Sequence, residues 1–162
     1  MAASKEEILR CLAQVKDPEI PVLDIVEMGI VREVQIEEGR VRVAITPTYS
    51  GCPAMKMIED EIVARLHSSG HGNVLVEEVY APAWTTDFMS QHAKEKLKGY
   101  GIAPPLEVRK CRPTAPPEGA VIPCPFCDSP ETELRSEFGS TACKAFYYCR
   151  HCRQPFEYFK PI

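Results

Sequence analysis

Two cysteine pairs carry the strongest chemical signal in the chain. They are Cys124-Pro125-Phe126-Cys127 and Cys149-Arg150-His151-Cys152, with 21 residues between them. Each CxxC presents two sulfurs from one tight turn. A hairpin that brings the turns together sets four thiolates at the corners of a tetrahedron, with no position left for water or substrate. That chemistry is a structural metal. One zinc ion ranks ahead of a rubredoxin-like iron atom or an iron–sulfur cluster, because two separated turns suit a single metal atom. A redox dithiol would want one CxxC at a strand end opening a helix, which this pattern does not offer. His151 keeps a set of three cysteines and one histidine open. Cys143 is a spare thiol, expected as a small buried residue.

A second constellation lies in residues 17–53. Asp17-Pro18-Glu19-Ile20-Pro21 puts two carboxylates on a stiff turn, Thr46-Pro47-Thr48-Tyr49-Ser50-Gly51 is a loop rich in hydroxyls, and Cys52-Pro53 ends that loop where a helix should begin. A thiol at a helix start meets unpaired N–H groups and the positive end of the dipole, so Cys52 is expected as a thiolate able to bind a soft metal or attack an electrophile. Taken singly, a turn aspartate usually caps and a lone cysteine usually packs. As a nucleophile Cys52 would need a base, and His67, His71 and His92 are the candidates, although turn exposure or the edge of the core accounts for them more simply.

The elements that must position these groups follow from pattern. Ser4-Lys5-Glu6-Glu7 has the form of a capping box, and Ile8, Leu9, Leu12 and Val15 continue at helical spacing, which predicts a helix over 5–15 stopped by Pro18. Strands over 30–36 and 41–45 flank a Glu37-Glu38-Gly39-Arg40 turn. Pro53 opens a helix with an apolar stripe of Met55, Ile58, Ile62, Val63 and Leu66. A strand is predicted over 74–80, a helix capped by Thr86 runs to Lys98, and Leu106–Cys111 is a last strand. The sum, α-β-β-α-β-α-β, is a small mixed-sheet α/β domain over 1–112. Residues 113–122 read as a proline-rich linker, since eight of the fifteen prolines fall between Pro104 and Pro130. Residues 123–162 form an all-β zinc ribbon with strands over 132–138, 144–148 and 156–159. A piece of that size normally needs a metal to fold.

Composition narrows the function. The net charge is −4 and comes from the front part, while 123–162 holds five acidic and five basic residues. Neither part has the basic surplus that nucleic-acid backbones demand. No apolar run approaches the ~20 residues of a membrane span, and Met1–Glu7 lacks the apolar core of a secretory signal, so a cytoplasmic location with reduced thiols is expected.

Asp17-Pro18-Glu19-Ile20-Pro21-Val22, Asp24, Met28-Gly29-Ile30 and Thr46…Ser50-Gly51-Cys52-Pro53 resemble the small α/β domain of iron–sulfur assembly factors of the SufT type. With Trp84-Thr85-Thr86-Asp87 and the ribbon stretch Glu137–Ala145, the whole chain resembles the PaaD family, accessory subunits encoded with the bacterial phenylacetyl-CoA epoxidase. That resemblance implies a non-catalytic accessory or maturation role in phenylacetate degradation. It implies partners among the oxygenase or reductase subunits, and a transient iron or iron–sulfur cargo. Cys52 would hold that cargo, with Asp17 and Glu19 as further ligands or shapers of the loop. Neither a Glu-x-x-His pair for a di-iron bundle nor a GxGxxG dinucleotide loop is present, so the epoxidation itself is assigned elsewhere. A thiol-dependent enzyme and a zinc-ribbon nucleic-acid or interaction protein are the competing readings.

Overall fold

Ser4 caps the first helix, α1 (Lys5–Leu12), as its sequence predicts: its hydroxyl accepts from the Glu7 N–H, and the Glu7 carboxylate accepts from the Ser4 N–H. The computed structural model describes residues 4–106 and 119–162. After α1 the chain turns through 13–30 and enters β1 (Val31–Glu37) and β2 (Arg40–Ile45), an antiparallel hairpin closed by Glu38 and Gly39, both at positive φ. Then come α2 (Ala54–Ser68) and β3 (Val74–Glu78), which pairs parallel with β2. The three strands form one mixed sheet in the order β1-β2-β3.

Alternation on β2 buries Val41, Val43 and Ile45 and leaves Arg40 and Arg42 exposed. The buried side of α2 is Ala54, Met55, Ile58, Ile62 and Leu66, the expected stripe except for half-buried Val63. Ile8, Leu12 and Val15 are fully buried with them.

The next helix starts later than its sequence suggests. Thr85, not Thr86, caps a single 3-10 turn (Thr86–Phe88), Met89 returns to extended backbone, and α3 spans Gln91–Tyr100. The last strand expected before the ribbon, Leu106–Cys111, falls on residues 107–118 apart from Leu106, and so lies outside the described residues, as does most of the expected linker at 113–122. A two-residue strand that the sequence does not announce, β4 (Ile102–Ala103), follows α3 and pairs parallel with β7 (Pro155–Phe159). With β5 (Thr132–Ser136) and β6 (Lys144–Cys149) it makes a four-stranded sheet in the order β4-β7-β6-β5.

The ribbon thus has one strand more than its own segment supplies. Packing divides the chain into Met1–Ser90 and Gln91–Ile162, ahead of the boundary expected after residue 112, because α3 and β4 go with the ribbon strands. Ala103 and Ile122, outside the expected 123–162 segment, join Ala145, Tyr147, Phe156 and Tyr158 in the ribbon core. No helix among the described residues is long and apolar enough to cross a membrane.

Candidate metal centre and thiol–carboxylate loop

The turns that carry the four cysteines are built to point sulfur inward. In the first, the Asp128 N–H donates to the Cys124 carbonyl at 2.9 Å and Asp128 takes a positive φ. In the second, Arg153 takes the positive φ, the Cys149 N–H donates to the Gln154 carbonyl at 3.0 Å, and the Cys152 N–H faces the Cys149 sulfur at 3.5 Å. The first turn is also braced by its neighbours. Phe126 lies over Gly101, where an added Cβ would stand 2.9 Å from the ring, and Lys98 pairs with Asp128 at 2.5 Å.

Cys124, Cys127, Cys149 and Cys152 bring all four sulfurs within 4.8 Å of one another. Two of the separations, Cys124–Cys152 and Cys127–Cys149, are 3.6 and 3.7 Å. A tetrahedron with metal–sulfur bonds of about 2.3 Å has edges of roughly 3.8 Å, so the set fits one metal ion. As free thiols, Cys149 and Cys152 are pushed in opposite directions. Burial of Cys149 is outweighed by the Cys152 N–H and neighbouring thiols, which hold it down at about 7. Burial and its thiol neighbours push Cys152 up to about 12. A bound cation removes the conflict by stabilising every thiolate. The alternative ligands stand apart: His151 is exposed, and buried Cys143 sits 3.1 Å from the Thr141 hydroxyl.

The second constellation sits at the start of α2. Pro53 occupies the helix N-cap position without a side-chain cap, and the Cys52 N–H donates to the Tyr49 carbonyl at 3.2 Å. Asp17 is buried and works as a turn former, its Oδ1 accepting from the N–H groups of Glu19 and Ile20 at 2.8 Å each. Asp24 repeats the device on Val26 and Glu27.

The expected thiolate is not what this geometry favours. Burial pushes the Cys52 thiol above its ordinary value, and the charges of Glu19 and Asp17 push it further. The Ala54 N–H at the helix start and the Tyr49 hydroxyl pull the other way and are outweighed. The helix-start effect is real but loses to desolvation and two carboxylates. Asp17, Glu19, Tyr49 and Cys52 therefore share one electrostatic neighbourhood, although among the described residues only the four ribbon cysteines converge closely enough to form a ready-made metal cluster. No histidine figures among the groups acting most strongly on Cys52. His67 and His92 are exposed and His71 is half-buried.

Sequence reasoning missed what supports the turn at Met28-Gly29-Ile30. The buried Trp84 indole donates to the Met28 carbonyl at 3.0 Å, and the Ser90 N–H donates to the Glu27 carbonyl at 2.9 Å. Arg32, at an irregularity of β1, lays its guanidinium 3.9 Å over the Phe88 ring. The signal was present only as an isolated tryptophan and a glycine, more than fifty residues apart in sequence.

Comparison with known proteins gives two domain matches: an iron–sulfur cluster assembly protein family over residues 5–77, and the PaaD zinc β-ribbon domain over residues 110–160. A protein of Escherichia coli (strain K12), named as a candidate component of 1,2-phenylacetyl-CoA epoxidase, is 50% identical over 96% of this chain and 92% of its own length. The Fe-S protein maturation auxiliary factor YitW of Bacillus subtilis (strain 168) is 40% identical, over 59% of this chain and 94% of its own. Among solved structures, a DUF59 domain of unknown function from Bacillus anthracis superposes with a TM-score of 0.55 at 29% identity, over 57% of this chain and 90% of that one. With both domain matches in one chain and a relative half identical along nearly its full length, the chain belongs to the PaaD family, and in it an iron–sulfur assembly domain precedes a zinc β-ribbon.

Proposed function

We propose that the chain is a non-catalytic accessory subunit of a cytoplasmic phenylacetyl-CoA 1,2-epoxidase, assisting assembly of a metal or iron–sulfur centre in the oxygenase or reductase component. The observation that carries this reading is the neighbourhood of Cys52. One protonated thiol, a tyrosine hydroxyl and two carboxylates share one electrostatic neighbourhood at a helix start, inside the segment matched by the assembly family. Cys52 is the transient cargo ligand, taking iron or a cluster as its proton leaves, with Asp17 and Glu19 supplying oxygen donors or the shape of the loop. One zinc ion in the four-cysteine set is structural, since a closed sulfur shell leaves no position for substrate. Partners are the other epoxidase subunits. The balanced charge of 123–162 favours protein over nucleic acid.

The test is Cys52→Ala, co-produced with the remaining subunits. A folded protein with a full equivalent of zinc is expected, together with loss of phenylacetyl-CoA oxidation and iron-depleted client subunits. Wild-type activity would end the thiol reading, and full iron without activity would replace delivery with a scaffolding role. A thiol-dependent enzyme is not favoured, because none of the candidate histidines acts appreciably on Cys52.

A further inference from the structure

The aromatics of the ribbon strands β6 and β7 include Phe146, Tyr147, Phe156, Tyr158 and Phe159, and these are mostly interior. Only Phe146 reaches 39% exposure. The most exposed aromatic of the ribbon is instead Phe138, at 65%, on the connection between β5 and β6. That connection is held from several sides. The Gly139 N–H donates to the Lys144 carbonyl at 2.7 Å, the Phe138 N–H donates to the Ser136 hydroxyl at 3.2 Å, and the Lys160 ammonium donates to the Glu137 carbonyl at 2.9 Å.

Beneath it lies an ion pair. Lys144, only 3% exposed, meets Glu157 at 3.0 Å, and the other oxygen of Glu157 accepts from the Ser140 N–H at 2.5 Å. Burial opposes ionisation of Glu157, yet the Ser140 N–H and Lys144 hold its carboxyl below the usual range, so it is charged in place. At Gly139 an added Cβ would stand 2.6 Å from that carboxylate and 3.2 Å from the Lys144 Cβ, so a larger residue there would displace the pair. Burying an ion pair in so small a core does little for stability, since well-packed apolar residues usually serve as well or better. What this pair does do is fix the conformation of the connection.

A rigid loop that exposes one large aromatic is the arrangement of a binding anchor, because the ordering cost is already met before contact. The charge beside it indicates what the partner offers. Lys160 lies 4.8 Å over the Phe138 ring and forms no ion pair among the described residues, neighbouring Glu137 included. We propose that residues 137–142 are a preformed docking loop, with Phe138 as anchor, for another protein subunit of the epoxidase that offers an apolar pocket with a carboxylate at its rim. This rests on the accessory-subunit reading and adds the surface through which that subunit is held.

Binding of the full-length, zinc-loaded chain to the purified remaining epoxidase subunits is the measurement, with zinc content and circular dichroism recorded for each variant. Phe138→Ala should weaken binding at least tenfold at unchanged zinc. Lys160→Glu should weaken it and reverse its salt dependence. The double variant Lys144→Met, Glu157→Leu should keep zinc and fold but bind like Phe138→Ala, which a merely stabilising ion pair would not produce. Wild-type binding by Phe138→Ala, or no binding by the unaltered chain, overturns the proposal. Cys52→Ala keeps the two readings separate. If it binds normally and supports full oxidation while Phe138→Ala still fails to bind, docking stands and metal assembly falls.

Discussion

Gly29→Ala is a sharp test of how the front unit holds its loops. Gly29 sits at φ +73°, and an added Cβ would lie 2.5 Å from the Phe88 carbonyl oxygen, 2.6 Å from its Cβ and 2.8 Å from its carbonyl carbon. Two of those atoms are backbone, so no side-chain rotation relieves the clash. The left-handed conformation alone costs about 1–2 kcal/mol for alanine. Forcing the 84–90 segment away adds an overpacking cost of about 1–3 kcal/mol. It also strains the Trp84 indole bond to Met28, a hydrogen bond of ordinary net worth, about 1 kcal/mol. The sum is about 3–6 kcal/mol. Gly39→Ala is the control, since Gly39 has φ +80° with nothing within 4 Å and should show the conformational cost alone. Urea unfolding followed by fluorescence of Trp84, the single tryptophan, reports this unit directly. Equal destabilisation by the two substitutions would refute the close-approach argument.

Two further outcomes are expected. Cys149→Ser should release the ribbon metal and unfold β5–β7, and the NMR signals of Ile102 and Ala103 should be lost with them because β4 pairs with β7; a full equivalent of tightly held zinc in that variant would refute the ligand set. The raised thiol of Cys52 should alkylate more slowly than a free cysteine at pH 7, accelerate as pH climbs past the ordinary thiol range, and react faster at pH 7 in Glu19→Gln, as followed by mass spectrometry; alkylation faster than free cysteine would restore the thiolate.

Features set by near neighbours were legible in the sequence. The Ser4–Glu7 box, the Glu38-Gly39 turn, the apolar stripe of α2 and the clustering of the four ribbon cysteines each depend on spacing within a few residues or on a repeated CxxC. What escaped depends on distant parts of the chain. Thr86 looks like a helix cap, yet the hydroxyl that caps belongs to Thr85, and Met89 at ψ 135° interrupts the helix before α3 can start. A strand of two residues is too short to show alternation, so β4 emerged only through its pairing with β7. Cys52 was misjudged for a related reason. Its position before a helix is written in the sequence, but the burial and the carboxylates that outweigh the helix start come from the fold.

The two thiol environments divide the chemistry of the chain. Four sulfurs in the ribbon converge closely enough to close a coordination shell by themselves, an arrangement suited to a metal kept in place rather than handed on. Cys52 offers one soft donor, protonated at neutral pH, among hard carboxylate oxygens that do not converge with it as a ready-made cluster. Such a set binds a thiophilic ion only by losing a proton and leaves further positions to other ligands. Weak, incomplete ligation is a defect in a storage site and an advantage in a hand-over, where a client's own ligands must win. Under the proposed function the affinity that brings donor and client together must then come from elsewhere on the chain. If Phe138→Ala abolishes association and Cys52→Ala does not, docking and ligation are separable. If both substitutions abolish association, the metal bridges the two proteins alongside the ribbon loop, and docking and ligation are one event; if only Cys52→Ala abolishes it, the metal is the contact and the loop is not.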